Sequence, residues 1–238
     1  MKRADVAQFS LGAAATSHCR FRPMTYAVKE IYYTLQGEGA NAGRPAVFLR
    51  FAGCNLWTGL EKDRAKGPGG CSQWCDTNFV GTDGPGGGKF STADDLVKAV
   101  TAKWPKSRRP ASPLVVCTGG EPLLQLDDAL LDCLHRAGFS VAAETNGTVD
   151  PPGGLLWLTV SPKANTRLRV TRGNELKLVY PQKGVDPDQF AELDFKYFYL
   201  QPLDGPDAAV NIKSCIEYCL ANPKWRLSVQ THKILNIP

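Results

Sequence analysis

Short β-branched and apolar runs alternate with amphipathic segments along most of this chain, and that alternation constrains the fold more than any other feature. Strand-like runs occur at 28–33, 47–51, 114–117, 140–144, 155–160, 176–180, 197–201 and 225–229. Segments of helical period lie between several of them, at 92–104, 123–137, 187–193 and 208–222. Ser91-Thr92-Ala93-Asp94 carries a helix N-cap with acid in the first turn, and Gly138 stands where a glycine stops a helix. Strand–helix alternation predicts a parallel sheet covered by helices. No helix is expected between Val160 and Leu176, and a complete eight-unit barrel uses about 250 residues. The expected fold class is therefore α/β, as a shortened, partly open parallel (β/α) barrel.

In parallel α/β folds reactive groups gather on loops at the C-terminal strand ends. Cys54 follows the 47–51 run, Thr118 to Glu121 follow 114–117, and Glu144 to Asn146 close 140–144. Ser161 to Lys163 follow 155–160, Gln201 ends its own run, and Gln230 to His232 follow the last one. Six polar strand ends are more than loop composition alone predicts, and they are expected to converge.

Eight cysteines occur, and Cys54, Cys71 and Cys75 cluster in one loop, with sixteen and three residues in the two gaps. Cys117 and Cys133 stand in apolar runs and read as small core residues; Cys215 and Cys219, four apart on a predicted helix, read as packing. Clustered cysteines in an intracellular enzyme point to metal or redox chemistry rather than disulfides. Three thiolates can hold a 4Fe–4S cluster and leave one iron open to a non-protein ligand. The amino and carboxylate groups of S-adenosylmethionine (SAM) suit that iron. A structural zinc needs a fourth protein ligand, and the candidates Cys19, His18 and Cys117 are distant. On spacing alone a cluster, a zinc ion and free thiols all stay open.

Thr118-Gly119-Gly120-Glu121-Pro122 directly follows an apolar run. Paired glycines let the backbone approach a ligand closely, and either the Glu121 carboxylate or the backbone carbonyls can accept from an ammonium. This Gly-Gly-Glu-Pro strand end resembles the SAM-amino-group motif of the radical SAM superfamily. Together with Gln36-Gly37-Glu38-Gly39, Phe51-Ala52-Gly53-Cys54-Asn55, Trp74-Cys75-Asp76-Thr77, Glu144-Thr145-Asn146-Gly147 and Ser161-Pro162-Lys163, it resembles one family closely, the 7-carboxy-7-deazaguanine synthases. The likeness runs from about Tyr26 to Pro238. Two features depart from the superfamily pattern: the first cysteine gap is far longer than the usual three, and Ser72-Gln73-Trp74 makes the second gap three rather than two. Gly67, Gly69 and Gly70 supply slack for the shift.

The resemblance implies ring contraction of 6-carboxy-5,6,7,8-tetrahydropterin to 7-carboxy-7-deazaguanine with release of ammonia, on the route to queuosine. A 5′-deoxyadenosyl radical takes a hydrogen beside the substrate carboxylate and later returns it, so SAM is regenerated. It also implies magnesium, a reductant such as flavodoxin or ferredoxin, and a homodimer. Carried onto this sequence, Cys54, Cys71 and Cys75 hold the cluster, while Thr77, with Asp76 beside it, holds magnesium. Gly119, Gly120, Glu121, Ser161, Lys163 and Gln201 face SAM. Gln36, Glu38, Gly39, Arg50, Thr118, Glu144, Asn146, His232 and Pro238 face the substrate. Physically, amide and carboxylate groups at Gln36 and Glu38 complement a pterin edge, and the Arg50 fork suits a carboxylate.

A net charge of +5 with pI near 8.7 is mild, and the basic residues are scattered rather than set in a nucleic-acid stripe. No run approaches the roughly 20 apolar residues of a membrane span. Residues 1–23 lack a continuous apolar stretch and are expected as a disordered extension, with 24–238 a single domain in the cytoplasm. Two other readings are weaker. A glycyl-radical activating enzyme usually carries additional cysteine motifs or engages a large partner protein. A zinc-stabilised nucleic-acid-binding module needs the fourth ligand and a basic stripe.

Overall fold

The computed structural model describes residues 25–67, 70–106 and 113–238. Cys19, His18 and the expected extension lie outside them. Nine strands form, β1 (Tyr26–Leu35), β2 (Pro45–Phe51), β3 (Gly88–Phe90), β4 (Leu114–Gly119), β5 (Ser140–Thr145), β6 (Trp157–Val160), β7 (Arg172–Tyr180), β8 (Asp194–Pro202) and β9 (Trp225–Leu227). They make one sheet in the order β3-β1-β2-β4-β5-β6-β7-β8-β9, parallel from β2 through β9. The sheet ends at β3 on one side and β9 on the other, so it is the open, mostly parallel arrangement expected.

Three local expectations are corrected. β1 pairs antiparallel with both β2 and β3, so it edges the parallel array instead of opening it. A strand, β3, begins at Gly88, outside every strand-like run expected from the sequence. The helical segment at 187–193 is only a 3-10 turn, Pro187–Phe190, and the one at 123–137 divides into a 3-10 turn at Pro122–Leu124 and a helix at Asp128–Arg136.

The helices α1 (Ala93–Lys103), α2 (Asp128–Arg136) and α3 (Ala208–Ala221) cover one face of the sheet, and α4 (Thr231–Leu235) closes the chain's last turn. Thr92 Oγ1 accepts from Asp95 N at 3.1 Å to cap α1, and Gly138 at φ +86° lets the chain leave α2. Leu96 and Val100 of α1 and Leu130 and Leu134 of α2 pack on Val115, Cys117 and Val141 in the main core. A fully buried Leu or Val contributes about 1.5–3 kcal/mol. Cys133 and Cys215 are buried in that same core and Cys219 packs against it, as expected of packing cysteines. The alternate residues Ala46, Phe48, Leu114, Val116 and Ala142 form a second apolar cluster on the opposite face. Residues of that parity farther along the strands, Arg50 and Thr118, line the cavity described next. Period-two alternation thus separates a helix-covered face from a site-bearing face.

Candidate active site

A cavity of about 380 Å³ opens at the C-terminal ends of the parallel strands. Cys54, Thr118, Glu144, Asn146, Ser161, Lys163, Gln201, Gln230 and His232 all line it, so the six strand ends converge as expected. This volume lies in the range of small-molecule sites.

Cys54, Cys71 and Cys75 form part of the same wall, and all three are free thiols. Cys54 leaves β2 through Gly53 at φ +89°, which a side chain would strain. Cys71 sits buried in a 3-10 turn, Gly70–Gln73, whose carbonyl oxygen accepts from Trp74 N at 3.0 Å and Cys75 N at 2.8 Å. The extra residue between Cys71 and Cys75 is thereby taken up as one closed turn. Burial raises the Cys54 thiol and pushes Cys71 up to about 11, even with Lys163 nearby. Among the described residues no three His, Cys, Asp or Glu side chains form a group that could hold a single metal ion. A cubane cluster places its three thiolates on three different irons, so three thiols along one wall suit it chemically. Cys117, the fourth-ligand candidate within the described residues, is fully buried in the main core.

The Gly-Gly turn is fitted against this loop. A Cβ on Gly120 would fall 2.1 Å from the Gly53 carbonyl oxygen and 2.7 Å from Cys54 Cβ. Glu121 N donates back to that Gly53 oxygen at 3.0 Å. The Glu121 carboxylate is fully buried and does not line the cavity. It accepts from Leu123 N (3.0 Å), Thr145 Oγ1 (2.8 Å) and Asn146 N (2.8 Å). Burial still raises its pKa above the usual carboxylate range. Glu121 therefore ties the end of β4 to the end of β5, and Thr118, Gly119 and Gly120 are the residues this motif presents to the cavity.

The same cavity holds a buried charged network. Glu38 accepts from Lys177 Nζ, from Gln201 Nε2 at 3.1 Å and from Gln230 Nε2 at 3.0 Å. Gln36 Nε2 donates to Glu144 Oε1 at 2.9 Å, and Lys177 Nζ lies 3.7 Å from that same oxygen. Burial acts to raise the Glu38 carboxyl, but the Lys177 ammonium and then the Gln230 amide hold it down to about 2. Burial likewise acts to lower Lys177, and Glu144, Glu38 and Glu175 outweigh it, so the ammonium is held well above its usual range. Gly39 does not reach the cavity. Its N–H donates to Ser228 Oγ at 2.9 Å, and a Cβ there would fall 2.1 Å from Glu175 Oε1.

The remaining expected residues take up cavity positions. Arg50 lines it while donating to Glu30 Oε1 (2.7 Å) and Tyr32 OH (2.9 Å). Asn146 Nδ2 donates to Asn55 Oδ1 at 3.0 Å. Lys163 donates to Ser161 Oγ at 2.6 Å and lies over the Trp74 ring at 5.5 Å, with burial lowering its pKa. Asp76 and Thr77 line the cavity, and Lys233 bridges Asp76 (2.7 Å) to Asp204 (2.5 Å). His232 packs over Gly37, where a Cβ would fall 2.3 Å from its Nδ1, and Pro238 lines the cavity with its oxygen accepting from Thr34 Oγ1 at 3.0 Å. Sequence reasoning missed Lys177 as a cavity residue. Its signal was present in Glu175-Leu176-Lys177-Leu178, whose charged residues share one strand face.

An open, mostly parallel sheet that brings three free cysteines, a Gly-Gly turn and a polar cavity to its strand ends defines an enzyme of the radical SAM class. No family model matches the chain. It is 59% identical over 215 residues to the 7-carboxy-7-deazaguanine synthase of Caulobacter vibrioides and to that of Burkholderia multivorans, covering 90% of this chain and 100% of each relative. The Escherichia coli K12 synthase is 34% identical over 248 aligned positions. The crystal structure of QueE from Escherichia coli superposes with a TM-score of 0.64 at 29% identity, covering 91% of this chain and 99% of that one. The chain belongs to the 7-carboxy-7-deazaguanine synthase family. Among the described residues no helix is long and apolar enough to cross a membrane.

Proposed function

We propose that this chain contracts 6-carboxy-5,6,7,8-tetrahydropterin to 7-carboxy-7-deazaguanine with release of ammonia, in queuosine biosynthesis. The observation that carries this reading is one cavity lined both by the thiols of Cys54, Cys71 and Cys75 and by the Gln36, Glu38, Glu144 and Lys177 network. The three cysteines would hold a 4Fe–4S cluster. When bound, it supplies the electron that cleaves SAM into methionine and the 5′-deoxyadenosyl radical.

The chain's own residues bind and orient. Backbone from Thr118 to Gly120, with Ser161 and Lys163, takes SAM on the cysteine side. Glu38, Gln36 and Glu144 present acceptors and amides to the donor–acceptor edge of the pterin. The depressed pKa of Glu38 keeps it an acceptor at neutral pH. Arg50 offers its remaining guanidinium edge to the substrate carboxylate, and Asn146, His232 and Pro238 close the pocket. Thr77 and Asp76 offer hard oxygens for magnesium, whose remaining positions substrate and water can fill. A flavodoxin or ferredoxin as electron donor, a homodimer and the cytoplasm complete the reading.

The test is anaerobic reconstitution with iron and sulfide, followed by SAM, reductant, magnesium and the carboxypterin, with products read by mass spectrometry. Appearance of 7-carboxy-7-deazaguanine is expected. SAM cleavage without that product would overturn the substrate assignment, and absence of both would overturn the reaction class.

A further inference from the structure

Arg64 lies outside the cavity lining and serves the loop that carries the cysteines. Its Nη1 donates to the carbonyl oxygens of Ser72 at 2.8 Å and Cys75 at 3.2 Å. Its own carbonyl oxygen accepts from Ser72 Oγ at 2.7 Å and Gln73 Nε2 at 2.9 Å. The guanidinium is itself held in place, with Nε donating to Glu61 Oε2 at 2.7 Å and its carbon 5.0 Å from the centre of the Trp57 ring. Gly67 permits the approach, because a Cβ there would fall 2.5 Å from Ser72 Cβ.

These contacts fall on the stretch that contains the additional residue of the second cysteine gap. The Cys71 carbonyl oxygen takes the Trp74 and Cys75 N–H groups, but the chain then leaves the turn without continuing as a helix. The later carbonyls of such a turn lack the donors a helix would bring. The two hydrogens of one guanidinium nitrogen meet the Ser72 and Cys75 carbonyls, at either end of that stretch. A lysine would keep the charge but lose both the Glu61 contact at Nε and the planar face over Trp57.

We propose that Arg64 is the positioning residue that fixes Cys71 and Cys75 as cluster ligands in a loop one residue longer than usual between them. This rests on the cluster reading above. Groups behind the ligands orient them, and losing such a group typically costs about 10–100-fold in metal affinity.

The test compares parent, Arg64→Met, Arg64→Lys and Gly67→Ala as full-length chains reconstituted anaerobically. Iron and sulfide per chain, the rate of iron loss to a chelator, and the electron paramagnetic resonance spectrum of the reduced cluster are measured. Urea unfolding of each chain before reconstitution is followed alongside. The parent is expected to bind about four irons. Arg64→Met is expected to lose iron about ten-fold faster with an altered spectrum and an unchanged unfolding midpoint, and Gly67→Ala to lose iron faster with a midpoint lowered by the added methyl's contact with Ser72. Arg64→Lys should fall between them and the parent. Unchanged iron retention and spectrum in Arg64→Met and Gly67→Ala would overturn the inference while leaving the cluster reading intact. In Arg64→Met, faster iron loss that tracks a lowered unfolding midpoint would also overturn it, since that marks a general folding role. A parent that takes up no iron would sink both.

Discussion

The ammonium of Lys177, in the middle of β7, donates to the carboxylate of Glu38 on the loop after β1, and neither group has much access to water. The two side chains are 6% and 14% exposed. A buried ion pair of this kind is weak grounds for stability in itself, but removing one partner leaves the other charge stranded.

Lys177→Met should therefore destabilise the fold by about 3–5 kcal/mol, because Glu38 and Glu144 would both face the cavity without their cation. Urea unfolding of the variant and the parent checks it. A change under about 1 kcal/mol would mean that solvent or rearrangement already screens the pair.

Glu38 also sets a pH dependence. Its folded pKa of about 2 lies below the ordinary glutamate value, which is about 4.3. The stabilisation it brings is thus complete above the unfolded value and is lost as pH falls from about 4.3 toward 2, amounting to at most about 3 kcal/mol. Unfolding free energies of the unreconstituted chain at graded acid pH should fall less steeply for Glu38→Gln than for the parent. Equal slopes would contradict the assignment.

Glu121 should behave as a tie between strand ends. Glu121→Ala removes the acceptor of three donors, Leu123 N, Thr145 Oγ1 and Asn146 N. Each buried donor left unmet costs about 1–3 kcal/mol, so a loss of about 3 kcal/mol or more is expected in denaturant unfolding. If instead stability held and only SAM affinity fell, the carboxylate would be a ligand after all.

Gly120→Ala should disturb the cysteine loop from the neighbouring strand end. The added methyl meets the Gly53 carbonyl oxygen and Cys54 Cβ, backbone and ligand that cannot yield without moving Cys54. Overpacking of this kind costs about 1–3 kcal/mol. Calorimetric titration should show SAM binding weakened together with stability.

Much of this site was legible before any coordinates. Apolar runs at 47–51, 114–117 and 140–144 are buried on both faces, so they read plainly as parallel strands, and the polar residues after them had to share one end. What escaped depended on long-range pairing. The antiparallel setting of β1 and the three-residue β3 leave no local period to read. Lys177 sits in an alternating strand pattern that ordinarily marks a solvent face, whereas here that face is covered by Glu38 and Glu144, which come from distant parts of the chain. The motif left open whether the Glu121 carboxylate or the backbone carbonyls meet a ligand, because the donors that occupy the carboxylate come from β5, its end and the adjoining turn.

Whether this cavity carries out a ring contraction in which SAM is regenerated is decided by turnover with SAM limiting and carboxypterin in excess. 7-Carboxy-7-deazaguanine is expected in several-fold excess over the SAM supplied, with intact SAM remaining. One SAM consumed for each product, or no product from a protein with a full complement of iron, would contradict it.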